Sequence, residues 1–334
     1  MKDYHMNVAM AINERYVPYT YVMLKSLFQK NEDAHVHVYL LHCDVSRESA
    51  DILSGLAESF GGDLTEVRID VARLDERLPR TQHWPVEIYY RLLMPDIMPE
   101  GVDRVLYMDA DIVVLKSLRD FYQTEFGDNL IIGCWDLALN NLSEEDFLRE
   151  RPVQLKESFH SRNYINSGVL LINLEELRKK YRLEDYIDMA KSLDFKISAP
   201  DQDLINLVHE DAIGHVDEWK YNCLSWIAAN NGFDYERVAR EVAILHYAGN
   251  GPWRGGDHVH YELERFWWEV AMDTPYANNL AKGFVNEAVT DQKTLCIIAE
   301  YEHQKKLLLE QNARISGALN DAAALIEKLS QTKA

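Results

Sequence analysis

Two carboxylates one residue apart, Asp109-Ala110-Asp111, stand directly after the apolar run Arg104-Val105-Leu106-Tyr107-Met108. At a strand end such a pair can bear on one hard cation, and the cation can neutralise a leaving diphosphate. A solvated acidic turn would carry the same residues. The context favours a site: an apolar strand precedes the pair, and Ile112-Val113-Val114-Leu115 reads as its continuation. A second group, Pro200-Asp201-Gln202-Asp203, opens the helical stretch Leu204–His209; Pro and Asp are also ordinary helix starters. A third, His246-Tyr247-Ala248-Gly249-Asn250-Gly251-Pro252-Trp253, follows the strand Val242–Leu245. A neutral imidazole there can join a metal's ligand set. The glycines let backbone approach a phosphate. A core histidine before a Gly/Pro turn is the alternative.

Elements that alternate in type must hold these groups. Strands are expected at Asn7–Ile12, His35–Cys43, Leu64–Ile69 and Arg104–Met108. Helices are expected at Val17–Gln29, from a Ser46 cap to Phe60, and at Ile88–Leu93, ending before Pro95. This βαβαβ rhythm predicts an α/β fold, a mostly parallel sheet with helices on both faces. Ligands of such sheets bind beyond the carboxyl ends of the strands, where Asn13–Arg15, Asp109–Asp111, Asp136 and His246 fall. Leu142–Arg162 is polar and charged and reads as an insertion or lid. Tyr164–Asn173 reads as a strand whose glycine lets another backbone come close.

The 334 residues suffice for a sizeable core. With 35 basic against 55 acidic side chains, the net charge of −20 argues against nucleic-acid or membrane-surface binding. An anionic substrate would need a local positive device, such as a divalent cation. The four cysteines, Cys43, Cys134, Cys223 and Cys296, form no CxxC pair and are expected as free thiols. No signal peptide and no transmembrane run is seen, so a cytoplasmic location is expected.

The segments RVLYMDADIVVL, YINSGVLLINL, PDQDLIN and HYAGNGPW resemble, in order and spacing, the motifs of the family 8 glycosyltransferases. That family includes lipopolysaccharide galactosyl- and glucosyltransferases, general-stress glycosyltransferases and glycogenin. The resemblance spans Asn7 to Trp253. It implies a Rossmann-like GT-A fold and a retaining transfer of a hexose from a UDP-sugar to a saccharide, lipid-linked or protein-linked glycan. Mn²⁺ is the implied metal, with Mg²⁺ as a substitute. Asp109, Asp111 and His246 match the metal ligands. Gln202 matches the residue beneath the anomeric carbon, and Asp203 and Asn166 match donor-sugar contacts. Arg91 matches a donor-contacting arginine. Ala11, Asn13, Tyr16, Ala110, Ser167 and Gly249 fall on the remaining donor-site segments. His83 and Asp136 fall where lipopolysaccharide enzymes contact donor or acceptor.

Two departures bear on activity. The family's usual acidic uracil contact after the first strand is Asn13 here, which still donates and accepts. The lysine that binds diphosphate is missing, Gly251 precedes Pro252, and Arg254 is the nearest cation. A degenerate sugar-nucleotide-binding protein and a metal-dependent nucleotidyltransferase are the rival readings.

The catalytic domain is expected over residues 1–284 and a helical extension over 285–334. Ile298, Lys305, Asn312, Leu319 and Ile326 repeat every seventh residue, as do Tyr301, Leu308, Ile315, Ala322 and Leu329. That is the pattern of a coiled coil and predicts a homodimer through this helix. Leu309 and Leu325 widen the apolar face, as they would in a helix packed on its own domain.

Overall fold

The computed structural model describes residues 2, 4–80, 85–249, 251–256, 260–290, 300 and 303–317. Among them seven strands form one sheet in the order β3-β2-β1-β4-β7-β6-β8. These are β1 (Tyr4–Ala11), β2 (Ala34–His42), β3 (Asp63–Arg68), β4 (Arg104–Met108), β6 (Ile131–Trp135), β7 (Ile165–Asn173) and β8 (Ile213–His215). β1 pairs in parallel with β2 and β4, β2 with β3, and β6 with β8. β7 runs antiparallel to both β4 and β6. A second sheet has the order β5-β10-β9, with β5 (Ile112–Val114), β9 (Cys223–Leu224) and β10 (Ile244–His246).

Period-2 alternation makes the central strands two-sided. Met6, Val8 and Met10 of β1, with Leu106 and Met108 of β4, enter one buried cluster with the helices Val17–Lys30 and Arg47–Ser59. Ala9, Val105 and Tyr107 face a second cluster. A strand buried on both faces reads as continuous apolar sequence. The predicted mostly parallel sheet with helices on both faces is what forms. Ser46 caps its helix as expected, accepting from the Ser49 N–H.

Two expectations change. Ile112–Val114 does not continue β4; it leaves for the second sheet and pairs with β10. The helical turn at Val86–Leu93 is 3-10 and runs on into the α-helix Met94–Ile97. Pro95 does not stop it, because a proline in a helix's first turn forfeits no hydrogen bond. The charged stretch 142–162 folds into the helices Glu144–Glu150 and Lys156–His160. Phe147, Leu155 and Phe159 pack there with Trp135 and Tyr164.

The chain divides into two compact units, residues 1–252 with 260–278 and residues 253–259 with 279–334. Residue 284 falls inside the helix Ala277–Thr290. In the second unit the Gly255 N–H donates to Glu287 at 3.0 Å. Residues 303–317 are helical, and Lys305, Leu308, Asn312 and Ile315 are exposed. The other coil positions, Ile298, Tyr301, Leu319, Ala322, Leu325, Ile326 and Leu329, lie outside the described residues, as do Cys296 and His83. Cys43, Cys134 and Cys223 are free thiols. Among the described residues, no helix is long and apolar enough to cross a membrane.

Candidate active site

The turn Asp109-Ala110-Asp111 is where the chain passes from one sheet to the other. On its first side β4 pairs with β7, and the Asp109 N–H donates to the Gly168 carbonyl at 2.9 Å. On its far side β5 pairs antiparallel with β10, placing Ile112 opposite His246. The Tyr247 N–H donates to the Asp111 carbonyl at 2.9 Å, closing that pairing over the turn. Two ladders therefore fix three side chains around one point. One ligand atom each from Asp109, Asp111 and His246 lies within 4.8 Å of the others.

Two carboxylates and an imidazole are a donor set suited to Mn²⁺ or Mg²⁺. The backbone leaves room for it at Gly168. A Cβ there would stand 2.5 Å from His246 Cε1 and 2.8 Å from Asp109 Oδ2. What this glycine admits is the pair of side chains as well as the neighbouring strand, a closer fit than the backbone approach expected. The two carboxylates keep 27% and 24% of their side-chain surface and His246 only 2%, so access to the group is over Asp109 and Asp111.

Behind the turn lies a buried polar network. Arg91 donates to Asp109 Oδ1 at 2.9 Å, to the Ser167 carbonyl and to the Ile88 carbonyl. It also pairs with Asp201 Oδ2 at 3.2 Å and stacks on Tyr107, whose hydroxyl donates to Asp109 at 3.0 Å. Asp201 accepts from the Ser167 hydroxyl at 2.8 Å. The Gln202 oxygen accepts from the Ser167 N–H at 3.0 Å, and its amide nitrogen donates to Asp136 at 2.8 Å. The helix Pro200–Val208 and β7 are thus joined side by side beneath the carboxylates. Asp203 is fully buried and accepts from Tyr164 at 2.6 Å and from the Ser198 and Ala199 N–H groups at 3.1 Å. Oδ2 holds the start of that helix, while Oδ1 faces Tyr164 and, at 3.6 Å, Arg151.

Charge follows from this geometry. Burial pushes the Asp109 carboxyl up, with Asp111 adding to the push, against the pull of Arg91 and His246. Burial also works to raise Asp111, but the His246 imidazole outweighs it and holds the carboxyl low. Burial would lower His246, and Asp111 more than offsets it, so the imidazole is raised.

The remaining candidates lie on other segments of the chain. Ala11 ends β1, and Asn13 caps the turn after it, accepting from the Arg15 N–H at 3.1 Å. Tyr16 is 38% exposed and meets Tyr19 edge-on. Ala110 is buried between the two aspartates. Gly249 follows β10 at φ +82, a left-handed backbone that glycine adopts without strain. Arg254 belongs to the second unit.

Sequence reading missed Asp201 and Asn222. Asp201 had a signal, since it lies inside Pro200–Asp203, but its pairing with Arg91 comes from the fold. Asn222, only 1% exposed, lies 2.7 Å from His246 Nδ1 through its oxygen and donates to Asn166 at 2.9 Å. It stands outside every motif.

Known proteins place this arrangement. Residues 7–256 match the model of "Glycosyl transferase family 8". The chain is 29% identical over 317 residues to a lipopolysaccharide 1,2-glucosyltransferase of Escherichia coli, covering 90% of this chain and 87% of that one. It is 24% identical to a lipopolysaccharide 1,3-galactosyltransferase of Salmonella typhimurium, covering 81% and 79%. The galactosyltransferase LgtC, solved with donor and acceptor sugar analogues, superposes with a TM-score of 0.65 at 22% identity, covering 81% of this chain and 96% of that one. The fold is thus that of the GT-A glycosyltransferases. A match over three-quarters of the sequence, taking in all four motifs, makes the chain a member of glycosyl transferase family 8 and a glycosyltransferase.

Proposed function

We propose that this enzyme transfers a hexose, glucose or galactose, from a UDP-sugar to a saccharide or glycoconjugate acceptor with retention of anomeric configuration. Mn²⁺, or Mg²⁺ in its place, would be held by Asp109, Asp111 and His246. The observation that carries the reading is the meeting of those three side chains over a neutral, pinned Gln202. Similarity to a glucosyltransferase and a galactosyltransferase supports the choice of hexose.

The bound cation would neutralise the leaving diphosphate. The protein's own groups do the rest. Arg91 balances the charge of Asp109 and Asp201 from behind, beneath an anionic donor. Gln202 is uncharged and a poor nucleophile. Its oxygen uses one lone pair on the Ser167 N–H and keeps the other for a developing positive charge at the anomeric carbon. That favours front-face displacement, with the departing phosphate taking the acceptor's proton. Asp203 serves by fixing the helix that carries Gln202. Free thiols are consistent with a cytoplasmic site of action. A helical extension from residue 285 onward would provide a dimer contact.

The test is to offer the protein UDP-glucose, UDP-galactose and other nucleotide sugars with Mn²⁺ and to identify what leaves. Free UDP supports the reading. Pyrophosphate or inorganic phosphate would point to nucleotidyl or phosphoryl transfer. Tight UDP binding without release would point to a degenerate binder, the outcome that Gly251 in place of a cation favours.

A further inference from the structure

We infer that Asn222 is a positioning residue that sets the tautomer of His246 and ties this metal ligand to the donor-site residue Asn166. The inference rests on the metal site proposed above. Its chain of reasoning starts from a group of fixed polarity. The Gly168 backbone N–H can only donate, and it points at Asn166 Oδ1 at 3.0 Å. That fixes which end of the Asn166 amide is oxygen. The same oxygen sits 2.9 Å from Asn222 Nδ2, which must therefore be the donor. Asn222 then presents Oδ1, an obligate acceptor, 2.7 Å from His246 Nδ1. The imidazole proton is held on Nδ1, which leaves Nε2, 3.1 Å from Asp111 Oδ1, to face the cation that the two carboxylates would share.

Both ends of this relay are sealed. Asn222 is 1% exposed and His246 2%. With both residues so buried, Asn222 Oδ1 is the acceptor for the Nδ1 proton among the described residues. A second consequence falls on Asn166. Its oxygen takes two protein donors, so its amide nitrogen is what it can offer a ligand hydroxyl. A single buried amide thus orients a metal ligand and a sugar contact together, as partners behind metal-bound histidines commonly do for the ligand alone.

The experiment compares full-length wild type, Asn222→Leu and Asn222→Asp. A carboxylate still accepts the Nδ1 proton but cannot donate to Asn166, which separates the two roles. Mn²⁺ affinity, read by electron paramagnetic resonance of the free ion, should fall about 10–100-fold in Asn222→Leu. In Asn222→Asp it should be at least as tight as wild type, while the KM for the UDP-sugar rises and the inhibition constant of UDP does not. Nitrogen-15 spectra of the metal-free protein should show His246 Nδ1 protonated in wild type and in Asn222→Asp, and losing its proton in Asn222→Leu. Equal metal affinity in all three proteins, or equal losses in both variants, would overturn the inference. Wild type that binds no Mn²⁺ would instead remove the proposed function, and the nitrogen-15 spectrum would still judge Asn222.

Discussion

Asp111 Oδ1 and His246 Nε2 lie 3.1 Å apart although 135 residues separate them. The antiparallel pairing of β5 with β10 makes them neighbours, because Ile112 faces His246 and the Asp111 carbonyl accepts from Tyr247. Groups that serve one ion act as a unit, and their losses do not add. Asp111→Asn and His246→Ala should each lower metal-dependent turnover by at least about 100-fold. The double variant should be no worse than the poorer single one. Losses that multiply, measured as kcat/KM, would show that the two residues work apart.

Gly168 is expected to be intolerant of any side chain. The added Cβ of Gly168→Ala would meet His246 Cε1 at 2.5 Å and Asp109 Oδ2 at 2.8 Å, so both ligands must move. Metal affinity should fall with little change in the far-ultraviolet circular dichroism. Wild-type affinity in this variant would mean that the ligands are not held where the strands put them.

The first-formed product should keep the donor's anomeric configuration. Gln202 is bound at both ends of its amide, to Ser167 and to Asp136, and carries no charge to drive an inverting or double displacement. Proton NMR of the product before mutarotation decides the matter. A β-linked product from an α-linked donor contradicts the account.

Arg254 is expected to stand in for the lysine that the family carries where this chain has Gly251. Removing a charge-assisted hydrogen bond to diphosphate costs about 1–3 kcal/mol. Titration calorimetry of Arg254→Ala with UDP should show that loss, and unchanged affinity would exclude the compensation.

Stability should fall in mild acid because of His209, well removed in sequence from the proposed metal ligands. Its Nε2 meets the Tyr186 hydroxyl at 2.7 Å, and burial pushes its pKa down to about 4. An unfolded histidine titrates near about 6.5, so between those values the unfolded chain takes a proton that the folded chain refuses. The stability due to neutral His209 is complete above the upper value and is lost as pH falls toward the lower. The loss from pH 8 to pH 5 is about 2 kcal/mol. Urea denaturation should show the gap between wild type and His209→Gln narrowing by that amount. A gap independent of pH would mean that His209 titrates normally.

Much of this was legible in the residues because the signals were local. The strand Arg104–Met108 was visible as an apolar run, and the aspartates after it were placed by that strand. The turn to a second sheet was not visible, since Ile112-Val113-Val114 is equally apolar whether it continues β4 or pairs with β10. The antiparallel course of β7 was hidden for the same reason: side-chain alternation carries no direction. Asn222 and the pairing of Arg91 with Asp201 depend on contacts across distant segments, and an isolated Asn or Asp announces neither.

The most direct test of the metal centre is a Mn²⁺ titration of wild type, Asp109→Asn, Asp111→Asn and His246→Ala, each with and without UDP. The account predicts one Mn²⁺ per wild-type chain, bound more tightly when UDP is present, and loss of that site in all three variants. Wild-type stoichiometry and affinity in the three variants would contradict it.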